Sequence, residues 1–423
     1  MRSIVIGQSR TVAIVLLVLA GCGTPAPSTS PSDAPLPSFI PAASPTVGAT
    51  PTKSPPPTPS SAASALPTPS AVPSPSASAS SAVTDLAIDV HRIDATAAHH
   101  VEAFVSLGDQ VVWSGGPSDA DNDLYRYVPG APQPQLLFSN PNHDSLLTSI
   151  RGSAAGYLFT DERWAGGQPQ GWRLWYLAAP GAEPVMVDQS TDDRLIAPTI
   201  AMDDHWIAWE VVHGTPSDHL NELLAASVDD PLHPLKLLSY PGRDVYMEFP
   251  ALWADELWYG IADNDWVANT EKPRVEMINL TQPADGPTVF GSDERAFMPA
   301  PGRDVVAWKS GGDPSLSALN SGTLTLYWRA TGQTDLLAIP GPHNLAERIS
   351  YPSVGNRFVA WWDDVRQRLY VYDLAQQQFR RIAEYDLESD EIVARPSLSG
   401  DLLAYLHFTA TGDQYLEWAV LPP

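Results

Sequence analysis

The chain has 423 residues, with 49 acidic against 24 basic side chains, 42 prolines, 14 tryptophans and one cysteine. A single cysteine excludes a disulfide-stapled fold. A formal charge of −25 excludes a phosphate-binding face as the main business, so no nucleic-acid partner is expected, because that affinity comes largely from Lys and Arg displacing counterions.

Residues 1–21 read as an export signal. Arg2 and Arg10 flank a polar start, Thr11 to Ala20 is a nearly unbroken apolar run, and Leu19-Ala20-Gly21-Cys22 follows. Ten residues are too few for a spanning helix, which needs about 20. The four residues resemble the lipobox of bacterial lipoproteins, and all four positions match. The resemblance implies cleavage before Cys22, a diacylglyceryl thioether on its sulfur and further acylation, palmitate for example. It also implies a membrane-lipid partner and a location at the cell membrane, on its extracytoplasmic face. Each buried methylene of such an anchor contributes roughly 0.8 kcal/mol.

Residues 22–83 are the lipidated Cys22 and a linker. From Gly23 to Val83, 16 of 61 residues are proline and 15 are serine. Such a segment buries too little apolar surface to offset chain entropy and is expected to be disordered. At about 3.1 Å per residue its polyproline contour reaches on the order of 190 Å. It reads as a spacer.

Residues 84–423 contain all 14 tryptophans, carry 48 acidic and 21 basic residues, and repeat. The clearest unit runs from Tyr351 through Gly355-Asn356 to Phe358-Val359-Ala360-Trp361, then Asp363-Asp364, Leu369-Tyr370-Val371-Tyr372 and Phe379-Arg380-Arg381-Ile382. That is a strand, a tight turn, an apolar strand ending in an aromatic, a polar loop and two more strands. The aromatic anchors recur as Trp113, Phe159, Trp209, Tyr259, Trp308, Trp361 and Tyr405, at intervals of 46, 50, 50, 49, 53 and 44 residues. Pro198, Pro250, Pro299, Pro352 and Pro396 precede five of them. A four-stranded unit of this length cannot close its own core and must stack on its neighbours. The expected fold is therefore all-β, a seven-bladed β-propeller over residues 84–423, with six or eight blades as the alternatives. The last unit ends after its third strand, and Leu86-Ala87-Ile88-Asp89-Val90 stands alone before the first. That amino-terminal strand is expected to close the ring as the outer strand of the last blade, because an unpaired edge would otherwise remain. Units such as Ser353 to Trp361 and Leu369 to Leu374 resemble the propeller repeats of the TolB-type family, and Ser399-Gly400-Asp401 partly echoes its turn.

Chemistry is harder to read. Loops between second and third strands hold Asp119, Asp121 and Asp123, Asp161 and Glu162, Asp263 and Asp265, and Asp363 and Asp364. In a propeller these loops share a rim with the blade connections, so one face is expected to be negative and to attract cations or a basic partner. Asp119, Asp121 and Asp123 alternate as calcium ligands do, but Leu124 and Gly130 stand where an EF-hand needs Gly and Glu. They leave a looser structural calcium loop or a solvated turn as readings; no other cofactor is implied. There is no G-x-S-x-G, H-E-x-x-H or phosphate-cradling glycine loop. His205, at a hairpin turn, reads as a surface residue. Trp164, Trp172, Trp266 and Trp362 lie off the anchor pattern and read as packing or as a stacking platform. The expectation is a lipid-anchored binding or scaffolding module for an envelope protein or glycan. The alternative is a glycoside hydrolase or polysaccharide lyase with its carboxylate pair among the acidic loops.

Overall fold

The computed structural model describes residues 83–94, 100–116, 122–142, 145–165, 168–191, 197–215, 218–241, 245–263, 273–291, 296–310, 323–337, 349–363, 368–384, 392–411 and 413–423. Two short strands come first, β1 (Thr84–Asp85) and β2 (His91–Ile93). Seven antiparallel sheets follow in chain order. Blade 1 is β3 (His100–Leu107), β4 (Gln110–Gly116), β5 (Asp123–Tyr127) and β6 (Gln135–Phe138); blade 2 is β7 (Ser145–Ser153), β8 (Gly156–Ala165), β9 (Gln168–Leu177) and β10 (Val185–Ser190). Blade 3 is β11 (Thr199–Met202), β12 (Trp206–Thr215), β13 (Asp218–Ser227) and β14 (Leu235–Pro241); blade 4 is β15 (Val245–Trp253), β16 (Glu256–Asp263), β17 (Arg274–Asn279) and β18 (Thr288–Phe290). Blade 5 is β19 (Phe297–Pro301), β20 (Val305–Ser310), β21 (Thr323–Trp328) and β22 (Gln333–Leu337); blade 6 is β23 (Ile349–Val354), β24 (Phe358–Asp363), β25 (Arg368–Asp373) and β26 (Gln378–Glu384). Blade 7 has β27 (Ile392–Ser399), β28 (Leu402–Phe408) and β29 (Gln414–Val420) from the carboxy-terminal end, and β2 supplies its outer strand.

The first strands of successive blades touch around a complete circuit that returns from β27 to β3. The fold is thus a closed seven-bladed β-propeller. Its core is distributed over the seams between blades, because each sheet has two apolar faces and must cover both. All seven aromatic anchors are at most 2% exposed. Each packs in a cluster with residues of the preceding blade: Trp209 with Leu158 and Trp172, Trp361 with Val305 and Leu326, Trp113 with Ala404 and Leu416 across the closure. Seven anchors therefore fill seven seams.

The recurrent prolines also have a structural reason. Phe249-Pro250, Met298-Pro299, Tyr351-Pro352 and Arg395-Pro396 each place two residues of an inner strand opposite one anchor, a β-bulge. Proline has no N–H to give to the ladder, so a bulge is where an interior strand tolerates it. Phe249, Met298 and Arg395 accordingly take φ of 54, 54 and 53°. In blade 3, Pro198 instead precedes β11.

The ring closes with the amino-terminal segment, as the sequence leads one to expect, but not with the residues expected. Residues 86–90 form no strand; β2, three residues long, pairs with β29 in the register His91 to Trp418 and Ile93 to Leu416. Upstream, β1 lies parallel to β26 as a fifth strand of blade 6.

Candidate functional site

Connectivity gives the ring two rims. The turns from first to second and from third to fourth strands lie on one, and the second-to-third loops and blade connections lie on the other. Of the acidic residues expected on the second rim, Asp119, Asp121, Asp265 and Asp364 fall outside the described residues, as do Trp266 and residues 1–82 with Cys22. The remaining acidic residues expected in these loops belong to strands. Asp123 opens β5, and its Oδ1 accepts the backbone N–H of Asn140 at 2.8 Å and the Ser139 hydroxyl at 3.3 Å. Asp263 ends β16, and Asp363 ends β24 with only 1% exposure. Asp161 and Glu162, also expected in a loop, are instead strand residues, buried in β8 at 1% and 4% exposure. Alternation along a long hairpin, not a loop, places them.

A depression of about 440 Å³ opens on the first rim, between blades 2, 3 and 4. Ala155 and Tyr176 of blade 2, Asp204, His205, Trp206 and Asp229 of blade 3, and Asp255 of blade 4 line it. Its shape follows from the turns. Asp203 Oδ1 accepts the N–H groups of His205 at 2.9 Å and Trp206 at 2.8 Å, fixing the turn that presents Asp204 and His205. Asp204 then reaches back to blade 2, where its Oδ1 accepts the Ala154 N–H at 2.9 Å. Trp206 reaches forward and donates its Nε1–H to Asp255 Oδ1 at 3.1 Å. Tyr176, buried below, donates its hydroxyl to the Ala155 carbonyl at 2.7 Å. Burial and the charge of Asp229 push its phenol up. Burial also holds the Asp203 carboxyl above the usual range, and its Oδ2 has no hydrogen-bond partner among the described residues.

Three carboxylates, the rings of Tyr176 and Trp206 and the His205 imidazole thus share one concave surface. Such a surface favours a cation: like-signed charge concentrates counterions, and ring faces attract ammonium and guanidinium groups. In the sequence this place is marked only by His205, read as a surface residue at a hairpin turn. No periodicity could have flagged the depression, because its walls are the turns of three different repeats.

Other buried charges serve the scaffold. Glu276 accepts from Tyr259 Oη and from Arg274 Nε, each at 2.7 Å, and burial with that carboxylate pushes the Tyr259 phenol up. Near the second rim, Glu102 and Glu162 are 8% and 4% exposed; His100 Nε2 lies 2.8 Å from Glu102. Burial chiefly, with the Glu102 charge adding, raises the Glu162 carboxyl. Among the off-pattern tryptophans, Trp172 is 1% exposed in the seam of blades 2 and 3, and Trp362 packs against the seams on both sides of blade 7.

No family model and no curated protein matches the chain. Solved structures do match in fold. A prolyl endopeptidase aligns at TM-score 0.53 and 13% identity over 77% of this chain and 47% of its own. An oligogalacturonate lyase in complex with manganese aligns at 0.52 and 10%, over 80% and 97%. The β-propeller domain of the Trilobed protease from Pyrococcus furiosus aligns at 0.51 and 9%, over 76% and 93%. The chain spans about half the length of the prolyl endopeptidase. Likeness at this identity defines the class, a β-propeller, and leaves activity to the site.

Proposed function

We propose that this protein is a lipid-anchored, extracytoplasmic β-propeller that binds a partner carrying exposed cationic groups, such as a lysine- or arginine-rich segment of an envelope protein. The observation that carries the reading is the depression walled by Asp204, Asp229 and Asp255 beside Tyr176 and Trp206. The lipobox-like Leu19-Ala20-Gly21-Cys22 and the proline-rich spacer support placement at the membrane surface. The acidic balance of residues 84–423 supports a cationic partner, since a one-signed field steers association.

The binding reading is tested with a lysine-rich peptide and its fully acetylated form. The first should bind the whole chain with an affinity that falls with salt, the acetylated form should not, and Asp229→Asn or Trp206→Ala should weaken capture several-fold. Equal capture by the parent and both variants removes the depression from the argument. Placement is tested separately, since Cys22→Ser should move the protein from the membrane to the soluble fraction.

A further inference from the structure

The eleven residues from Val83 to Ile93 do more than complete a blade. They cross three consecutive seams. Val83 packs against the cluster between blades 5 and 6, Leu86 and Ile88 against that between blades 6 and 7, and Ile93 enters that between blades 7 and 1. Few other contacts hold them. Thr84, Asp85, Ala87 and residues 89–92 are exposed, and only Ile93, at 2%, is buried.

Two catches of unequal strength fasten this segment. The first is β1, two residues in parallel pairing with Arg380 and Arg381. Leu86 N–H donates to the Arg381 carbonyl at 2.9 Å, and Asp85 meets the Arg381 guanidinium at 2.7 Å. Asp85 is 72% exposed there, so water screens the pair and it holds weakly. The second is β2. His91 stacks on Trp418 at 4.5 Å, and Arg92 lies 3.7 Å over the Tyr415 ring and 3.2 Å from buried Glu417.

We propose that residues 83–93 form a releasable strap. The first catch lets go before the second, and both let go while the other blades stay folded. Regions with few buried contacts open locally at a fraction of the global free energy. A pull on the chain before Val83 meets β1 first. Its release uncovers the seam of blades 6 and 7 while the ring stays shut. Release of β2 withdraws Ile93 and loosens the seam of blades 7 and 1. The strap thereby couples tension on the upstream chain to the tightness of the ring. This inference does not rest on the cation-binding reading.

Native-state hydrogen exchange on the whole chain tests it. Amides of residues 84–88 should exchange at least tenfold faster than those of residues 91–93, and these at least tenfold faster than the amides of β28. A second chain, Cys22→Ser with Thr84→Cys and Arg380→Cys, places a thiol pair at directly facing positions of β1 and β26. Its oxidised form should slow exchange at residues 84–88 tenfold or more, with reduction restoring the fast rate. The strap is refuted if its amides exchange within threefold of β28 in the parent chain. It is equally refuted if oxidation leaves the rates at residues 84–88 unchanged.

Discussion

Arg92 Nη2 lies 3.2 Å from Glu417 Oε1, although 325 positions separate the two residues in the chain. His407 Nδ1 sits 3.0 Å from the same oxygen, so one buried carboxylate links β2, β29 and β28. Burial opposes the charge of Glu417, but His407, Tyr405 and Arg92 overcome it and hold the carboxyl below its usual range. A carboxyl lowered by folding adds stability above its unfolded value, about 4.3, and that stability is lost as pH falls through the folded value. Glu417→Gln should therefore cost about 1–3 kcal/mol at pH 7. In urea melts the gap from the parent should close below about pH 4.

Asp203 has the opposite sign. Its carboxyl is raised by burial, so its ionised form opposes folding at neutral pH. In Asp203→Asn the retained Oδ1 still accepts the two turn N–H groups. The variant should be more stable at pH 7 by about 1 kcal/mol, since a neutral amide costs less to bury than a charge. The advantage should shrink as pH falls through the folded value and vanish below about 3.9. Melts at pH 7 and pH 3.5 check it.

In the turn joining β25 and β26, exposed Gln377 has φ of 52°. This left-handed conformation costs a non-glycine residue about 1–2 kcal/mol. Gln377→Gly loses no buried surface, so it should raise stability by about 1 kcal/mol, read as an increase in the urea midpoint with unchanged slope.

Gly171 in β9 has φ of +107°, and a Cβ there would lie 2.2 Å from the Ser190 carbonyl oxygen on β10. Gly171→Ala must therefore push the outer strand of blade 2 away or leave its backbone conformation. A loss of about 3 kcal/mol or more is expected. Circular dichroism at equal urea concentration, compared with the parent, measures it.

The architecture was legible because its causes repeat. Trp113, Trp308 and Trp361 recur at the same point of each unit because every sheet needs one large ring to fill the seam behind it. The prolines at 250, 299, 352 and 396 mark the bulges opposite such rings. The closing strand was misplaced by a few residues. Leu86 and Ile88 alternate as a strand does, but they half-bury against the seam of blades 6 and 7 without pairing, whereas the mixed triplet His91-Arg92-Ile93 finds the ladder. Asp161, Glu162 and Asp363 read as loop residues because charge ordinarily marks a loop, but the backbone ladder runs on through them, pairing Asp161 with Arg173, Glu162 with Trp172 and Asp363 with Arg368. The depression around Trp206 was illegible, since turns 50 residues apart in sequence become neighbours only once the ring is formed.

Because β2 belongs to the last blade, the earliest-made part of the folded region has to wait for the latest. Residues 91–93 leave the ribosome some 320 positions before their partners in β29, and until then six blades stand with an unfinished flank. Closure of the ring thus waits for β29 to be made, and the growing chain must keep its apolar seams from straying to other molecules in the interval.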